Sequence, residues 1–231
     1  MSVSPIAAMF DRISPKYDAL NHLLSLNIDK VWRRKVAKAV AKSQPKTILD
    51  LATGTADLAI AMAKRNPQAH IIGMDISEKM LDIGKEKVKQ QNLENQIELR
   101  FGDAAALPFE DNSFDAVTVA FGVRNFEDLE KGLMEISRVL KPGGQAVILE
   151  FSMPERFPVK QLYRFYFKRI LPKIGQSVSK DSSAYTYLPQ SVELFPKPEA
   201  FLQLLSEKGL GNGTKKRLSF GIATLYHAEK Q

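Results

Sequence analysis

The stretch "KTILDLATGTADLAIAMAKRN" (46–66) decides the fold. A short apolar run (46–52) reads as a strand, a turn follows with Gly54 as its one glycine, and "DLAIAMAKRN" (57–66) reads as a helix. The same alternation continues downstream. "HIIGMD" (70–75) is a second strand and "SEKMLDIGKEKVKQQN" (77–92) a helix with Ser77 as N-cap. "QIELRFGD" (96–103) alternates as a third strand. "FDAVTVAF" (114–121) is apolar almost throughout, which predicts a central strand. A helix over 127–140 stops at "KPGG", and "QAVILEF" (145–151) is a further strand. Strands alternating with helices predict an α/β fold: a doubly wound, mostly parallel sheet with helices on both faces.

The flanks decorate that frame. Residues 15–42 predict one helix, with Ile28, Trp32, Val36 and Val40 on a single face. After an aromatic, basic, irregular stretch come a helix over 198–208 and two β-like runs, "TKKRLSF" (214–220) and "IATLYHA" (222–228). Only Gly221 separates them, so they predict a C-terminal antiparallel hairpin closing one sheet edge. The expected organisation is a single domain over 1–231, with an N-terminal helical segment (1–45) and a lid-like insertion (152–197).

Composition narrows the chemistry. A chain of 231 residues, 44% of them apolar, can bury one sizeable core. Cysteine is absent, which removes disulfides, thiolate metal sites and a cysteine nucleophile. His22, His70 and His227 are too far apart in sequence to suggest a ligand cluster, so no metal is expected. No run of eighteen apolar residues is present, and "MSVSPIAAMFDRISPKYD" lacks the basic and apolar regions of a signal peptide; the expectation is a cytoplasmic protein. The net charge of +7 is concentrated in residues 30–46 and 156–180, the latter with seven Lys or Arg and no acid. Such runs suit either an anionic partner or ordinary solvated helix faces.

Acid positions decide what the glycine loop holds. In a doubly wound sheet the ligand lies at the carboxyl ends of the strands. Asp50, Asp57, Asp75 and Asp103 all fall at or near such ends. Asp75 ends the second strand about twenty residues beyond the loop, where a carboxylate accepts ribose hydroxyls. Asp57 stands at the start of the first helix, where a pyrophosphate would sit, and a carboxylate there repels phosphate and attracts a cation. S-adenosylmethionine carries adenosine, a ribose diol, an ammonium and a sulfonium, and no phosphate. It fits four acids better than NAD. Without a pyrophosphate to approach, Gly54 alone can supply the turn, and Ala56 is expected at φ < 0.

These residues stand within longer segments that resemble the menaquinone/ubiquinone biosynthesis C-methyltransferases, S-adenosylmethionine-dependent enzymes of the Rossmann-like class I methyltransferase fold. The resemblance covers nearly the whole chain. It rests on "YDALNHLLSLNIDKVW" (17–32), where Tyr17, Asp18, Asn21, Ser25 and Trp32 match, and on "RVLKPGGQAVILEFS" (138–152). "AFGVRN", "LPKIG" and "YTYLPQSVELFP" are similar to family segments as well. Carried over by motif position, the resemblance implies cofactor contacts from Gly54 and Thr55 in the loop, Asp75 on the ribose, and Asp103 with Ala104 near adenine. Asp29 stands where many relatives have histidine, and Ala56 replaces the usual third loop glycine.

The implied reaction is C-methylation of a prenylated quinol, with demethylmenaquinol favoured over a benzoquinol of the ubiquinone path. An NAD-dependent oxidoreductase is the alternative from another class. Arg124, after the fourth strand, is the candidate to stabilise a phenolate or orient a water, since a guanidinium does not readily act as a base. Tyr187 is the candidate hydrogen-bonding partner of the quinol oxygen. Tyr163, Phe165, Tyr166 and Phe167, between Arg164, Lys168 and Arg169, suit contact with an anionic membrane surface and an apolar tail, or a lid helix packed on the core. No nucleic-acid partner is expected, and the sequence leaves the oligomeric state open.

Overall fold

In the computed structural model, which describes residues 5–25, 27–166, 169 and 183–231, a seven-stranded sheet carries the chain. Its strands are β1 (Thr47–Leu51), β2 (His70–Asp75), β3 (Ile97–Phe101), β4 (Phe114–Ala120), β5 (Leu140–Phe151), β6 (Leu210–Leu218) and β7 (Ala223–Lys230). The order across the sheet is β3-β2-β1-β4-β5-β7-β6. Strands β1 to β5 pair in parallel, while β7 runs antiparallel to both β5 and β6. The C-terminal hairpin therefore extends the sheet beyond β5, as the two β-like runs predict. β4 is central, and Ala116, Val117 and Val119 are buried.

Helices cover both faces. One core packs Trp32, Val36 and Val40 of α2 (Ile28–Val40) and Leu58 and Met62 of α3 (Asp57–Ala63) with Val88 of α4 (Glu78–Gln90). The opposite core joins Leu133 and Ile136 of α5 (Leu129–Val139) to Phe201 and Leu205 of α8 (Pro198–Glu207). Ser77 caps α4 by accepting from the Met80 N–H at 3.3 Å, as its position predicts.

Two elements and the burial of Ile28 differ from the sequence reading. The single helix predicted over 15–42 is two, α1 (Pro5–Leu24) and α2, and Asn27 between them has a φ of 60°. Asparagine tolerates that left-handed conformation, which lets the chain turn there. Ile28, placed on the buried face by periodicity, is instead exposed, because it lies in the first turn after that break. β5 begins at Leu140 and not at Gln145: Leu140 already pairs with Phe114, and the register shifts before Ala116 pairs with Gln145.

The stretch 152–197, irregular in the sequence reading, contains α6 (Val159–Phe165) and α7 (Ser183–Leu194). Phe167, Lys168 and "LPKIG" lie outside the described residues. A third apolar cluster sits where β2 and β5 end. Met9 and Ile13 of α1, Met80 of α4 and Tyr163 of α6 form it, with Tyr187, Leu188 and Ile222 packed against them.

Candidate active site

The loop after β1 is built around Asp50 and Asp75. Asp50 is buried and accepts from the Thr53 hydroxyl at 2.7 Å and the Thr118 hydroxyl at 2.6 Å. Burial pushes its carboxyl up to about 6 against those two hydrogen bonds. Asp50 thus pins the loop to the sheet. Asp75 accepts the Gly54 N–H on one oxygen at 2.8 Å and the Ser77 N–H on the other at 2.9 Å. Burial raises it likewise to about 6, although both bonds favour the carboxylate.

Gly54 has a φ of +56°, and a Cβ built there would meet nothing within 4 Å. Its backbone conformation, not crowding, calls for glycine, and the space above it is open to a ligand. The two Asp75 oxygens together have about four acceptor positions, which the backbone N–H groups of Gly54, Ile76 and Ser77 do not fill, so a ribose hydroxyl can still be received. The residues present therefore fit an adenosine ligand. Asp103 is exposed and accepts the Ala105 N–H at 2.9 Å, while Ala104 is half-buried at the edge of the second core.

Two expectations about this loop are corrected. Ala56 has a φ of 65°, not a negative one, and is fully buried as the N-cap of α3. The loop has left-handed residues at Ala52, Gly54 and Ala56, and alanine adopts that conformation at a cost of roughly 1–2 kcal/mol. The packing usually granted by a loop glycine comes from the other side. A Cβ on Gly84 of α4 would lie 3.3 Å from the Thr55 carbonyl carbon and 3.4 Å from the Ala56 Cβ. Asp57, in turn, is not a bare carboxylate facing the ligand. Lys87 of α4 is ion-paired to it, and Arg33 and the His22 Nε2 lie at 4.0 and 3.8 Å. Its supposed repulsion of phosphate is largely neutralised by these neighbours.

Helix α1 is tied down over the same loop. The Thr55 hydroxyl donates to Asp18 at 2.6 Å, and the Lys87 ammonium reaches both Asp18 and the Thr55 oxygen at 3.0 Å. Asp11 accepts from the Ser77 hydroxyl at 2.6 Å. The Thr55 side chain is thus committed to α1 and α4. His22 meets buried Asp29 at 2.8 Å, and Arg33 also pairs with Asp29. His22, Asp29 and Asp57 bring potential metal-ligand atoms within 4.8 Å of one another, a convergence that the histidine spacing gave no sign of. Arg33 and Lys87 already hold those carboxylates, so the cluster reads as a charge network joining α1 to α4.

Arg124 lies in a 3-10 turn after β4 and is almost wholly buried. Its Nη1 donates to Glu150 and to the Phe121 carbonyl, both at 2.6 Å, and its Nε donates to Ser191 at 3.3 Å. The guanidinium lies 5.3 Å from the Phe151 ring centre, which stacks on Phe121 at 4.4 Å. Tyr187 donates its hydroxyl to the Asn125 side chain at 2.9 Å, and burial raises its phenol above the usual range. The structure thus gathers Arg124 and Tyr187 on neighbouring residues of one turn, alongside the apolar cluster. Glu150 and Asn125 were missed in the sequence. A lone acid inside the apolar run "QAVILEF" was the available signal for Glu150, since a buried charge requires a partner.

Comparison with known proteins gives the family. The chain is similar to a demethylmenaquinone methyltransferase of Bacteroides fragilis, 49% identical over 225 residues, spanning 97% of this chain and 92% of that protein. It is similar to one of Thermus thermophilus at 46% identity, spanning 96% and 100%. A Geobacter sulfurreducens protein named ubiquinone/menaquinone biosynthesis C-methyltransferase UbiE is 45% identical, spanning 97% and 88%. Among solved structures, the [4+2]-cyclase SpnF aligns with a TM-score of 0.72 at 16% identity, over 99% of this chain and 96% of that one. A SAM-dependent methyltransferase from Aquifex aeolicus aligns with 0.58 at 19%, over 84% and 89%. Those two show the fold alone, and one of them is named for a cyclisation, so the fold does not fix the reaction. A model of the ubiE/COQ5 methyltransferase family matches residues 2–230, and the chain belongs to that family.

Proposed function

We propose that this S-adenosylmethionine-dependent methyltransferase methylates a ring carbon of demethylmenaquinol. The observation that carries the reading is the 49% identity, across nearly the whole chain, to a protein named for that reaction. Family membership sets aside the dinucleotide-dependent oxidoreductase. The name shared by the Geobacter relative supports a benzoquinol of the ubiquinone path as a second acceptor for the same site.

Gly54, Thr55, Asp75, Asp103 and Ala104 would hold the cofactor, with Asp75 receiving the ribose hydroxyls. When bound, S-adenosylmethionine supplies an electrophilic methyl group. The protein's part is to orient the quinol and to favour its phenolate, which directs electron density to the ortho ring carbon. Arg124 is proposed to face the phenolate with the donors that Glu150, Phe121 and Ser191 leave over: the hydrogen bonds among the described residues use Nη1 and Nε, not Nη2. Tyr187, held by Asn125, is proposed to hydrogen-bond the second quinol oxygen. The cluster of Met9, Ile13, Met80, Tyr163 and Leu188 offers the apolar surroundings a prenyl tail requires. None of the described helices is long and apolar enough to cross a membrane. The proposed setting is the cytoplasmic side of an anionic membrane, with the protein bound peripherally.

Anaerobic incubation with labelled S-adenosylmethionine and each reduced acceptor tests the proposal. A new carbon-bound methyl on demethylmenaquinol is the expected product. Transfer to neither acceptor, or transfer to oxygen alone, would overturn it.

A further inference from the structure

Four of the nine exposed large apolar side chains among the described residues lie on two adjoining segments, while Phe101, Met134 and Leu194 lie on other elements. Phe220 (84% exposed) forms the tip of the β6–β7 turn, and Phe157 (81%) precedes α6. Leu162 (64%) and Phe165 (59%) lie three residues apart on the outward side of α6, whose inward side buries Tyr163. The two segments touch. A Cβ on Gly221 would come within 3.6 Å of the Pro154 Cα, the Ser152 N–H donates to the Ile222 carbonyl at 2.9 Å, and Arg217 pairs with Glu155 at 2.8 Å. On its other side the turn is held by α2, where the Trp32 indole N–H donates to the Ser219 hydroxyl at 3.0 Å.

The backbone at that tip is strained. Ser219, Phe220 and Gly221 have φ values of 45°, 59° and 94°, although the first two are not glycine. A bulky aromatic in the left-handed region is costly and persists where the surroundings over-determine it, often at a functional position. Here the fold fixes a phenylalanine pointing away from the core, clamped between α2 and the chain leading into α6.

The segments on either side of this tip are basic. Arg156, Lys160 and Arg164 are exposed along α6 and its approach, and Lys30, Arg34 and Lys35 are exposed on α2. Glu155 is occupied by Arg217, and Asp29 is buried. The two basic runs, separate in the sequence, lie on the two segments tied to the β6–β7 turn, α2 through Trp32 and the approach to α6 through Ser152 and Glu155.

We propose that Phe220, Phe157, Leu162 and Phe165, with the exposed cations of α6 and α2 on the segments to either side, form a docking face for an anionic lipid bilayer. This deepens the reading of a prenylated quinol as substrate, and rests on it. Aromatic residues that insert at the headgroup boundary, flanked by Lys and Arg, have the chemistry of an interfacial anchor. The location gives the anchor a purpose. Ile222 in the turn and Tyr163 on the inner side of α6 belong to the apolar cluster beside Tyr187, so a docked bilayer lies just outside that cluster. A quinol dissolved in the bilayer then reaches the site without its tail crossing water.

Flotation of the full chain with vesicles tests this. Binding is expected to phosphatidylcholine vesicles doped with phosphatidylglycerol, not to phosphatidylcholine alone, and is expected to weaken with salt. Lys160→Glu with Arg164→Glu should lower the partition coefficient by about thirtyfold, and Phe220→Glu by about tenfold. The chain has one tryptophan, the buried Trp32, so Phe220→Trp adds a clean probe whose emission should shift to the blue on anionic vesicles. All these variants should methylate a short-tailed, water-soluble quinol at the rate of the unaltered chain. Unchanged vesicle binding in the variants, or a dimer in solution that the same substitutions dissociate, would overturn the docking face. If the unaltered chain binds vesicles yet methylates no quinol, the substrate reading fails and the lipid surface stands. Methylation without vesicle binding is the reverse case.

Discussion

The Nη1 of Arg124 meets the Oε1 of Glu150 at 2.6 Å, with the glutamate fully buried in β5. Removing one member leaves an uncompensated buried charge, so Glu150→Gln should destabilise the protein by about 3–5 kcal/mol in urea titration. Replacing both, as Arg124→Met with Glu150→Leu, should restore most of that stability. Turnover separates the roles: the double variant should stay at least about a hundredfold slow if Arg124 faces the phenolate. Near-normal turnover would reduce the pair to a structural tie.

Tyr187 and Asn125 are joined at 2.9 Å beside the same turn. Tyr187→Phe should cost about 1 kcal/mol of stability and lower kcat about tenfold, with cofactor affinity unchanged. Steady-state rates together with calorimetric titration of the cofactor give both numbers.

The proposed contact of Asp75 with the ribose makes cofactor binding pH-dependent. Burial raises its carboxyl from 3.8 to about 6. Its contribution to the stability of the ligand-free protein is therefore fully present below pH 3.8 and lost as pH rises through 6. A ribose diol donating to the carboxylate has the opposite preference. Cofactor affinity should be level above about pH 7 and fall below about pH 6, approaching tenfold per unit. Calorimetry across that range should show the slope, and Asp75→Asn should bind weakly and without it.

Lys87 clasps Asp18 of α1 to Thr55 and Asp57 of the cofactor loop. These side chains are a quarter exposed, so the clasp contributes only about 1 kcal/mol. Lys87→Met should leave global stability nearly unchanged while amide exchange in residues 5–24 accelerates about fivefold. Equal protection in both proteins would show that apolar packing alone holds α1.

Ala56 stands at a φ of 65°. Ala56→Gly removes a left-handed penalty, loses the packing of one buried methyl, and should raise stability by up to about 1 kcal/mol. A loss of stability in thermal melts would mean that the Cβ contact outweighs the strain.

Periodicity in the sequence located β1, β2, β4, α4 and the C-terminal hairpin, because strands and helices repeat with periods of two and 3.6 whatever they pack against. Asp75 was legible for a related reason: its offset from the glycine turn is a property of one strand–helix–strand unit. Lys87 with Asp18 was not. Those residues are 69 apart, and nothing local marks either as a partner of the other. The left-handed Ala56 was hidden as well, since alanine is not a residue that marks a positive φ and the helix packed close to it, at Gly84, is far away in sequence. A glycine in the middle of "EKMLDIGKEKVKQ" was the sign that something approaches that helix closely.

The strand order carries a consequence for synthesis. β1 lies between β2 and β4, so nascent chain ending near residue 110 can pair β1, β2 and β3 yet leaves one side of β1 open. β4 closes that edge, and β5 then exposes its own until β7, the last strand made, slots in between β5 and β6. Truncation before Ala223 would therefore strip β5 of one of its two partners and β6 of its only one in the sheet. The ribosome must deliver the final eight-residue strand before this sheet has its last two seams.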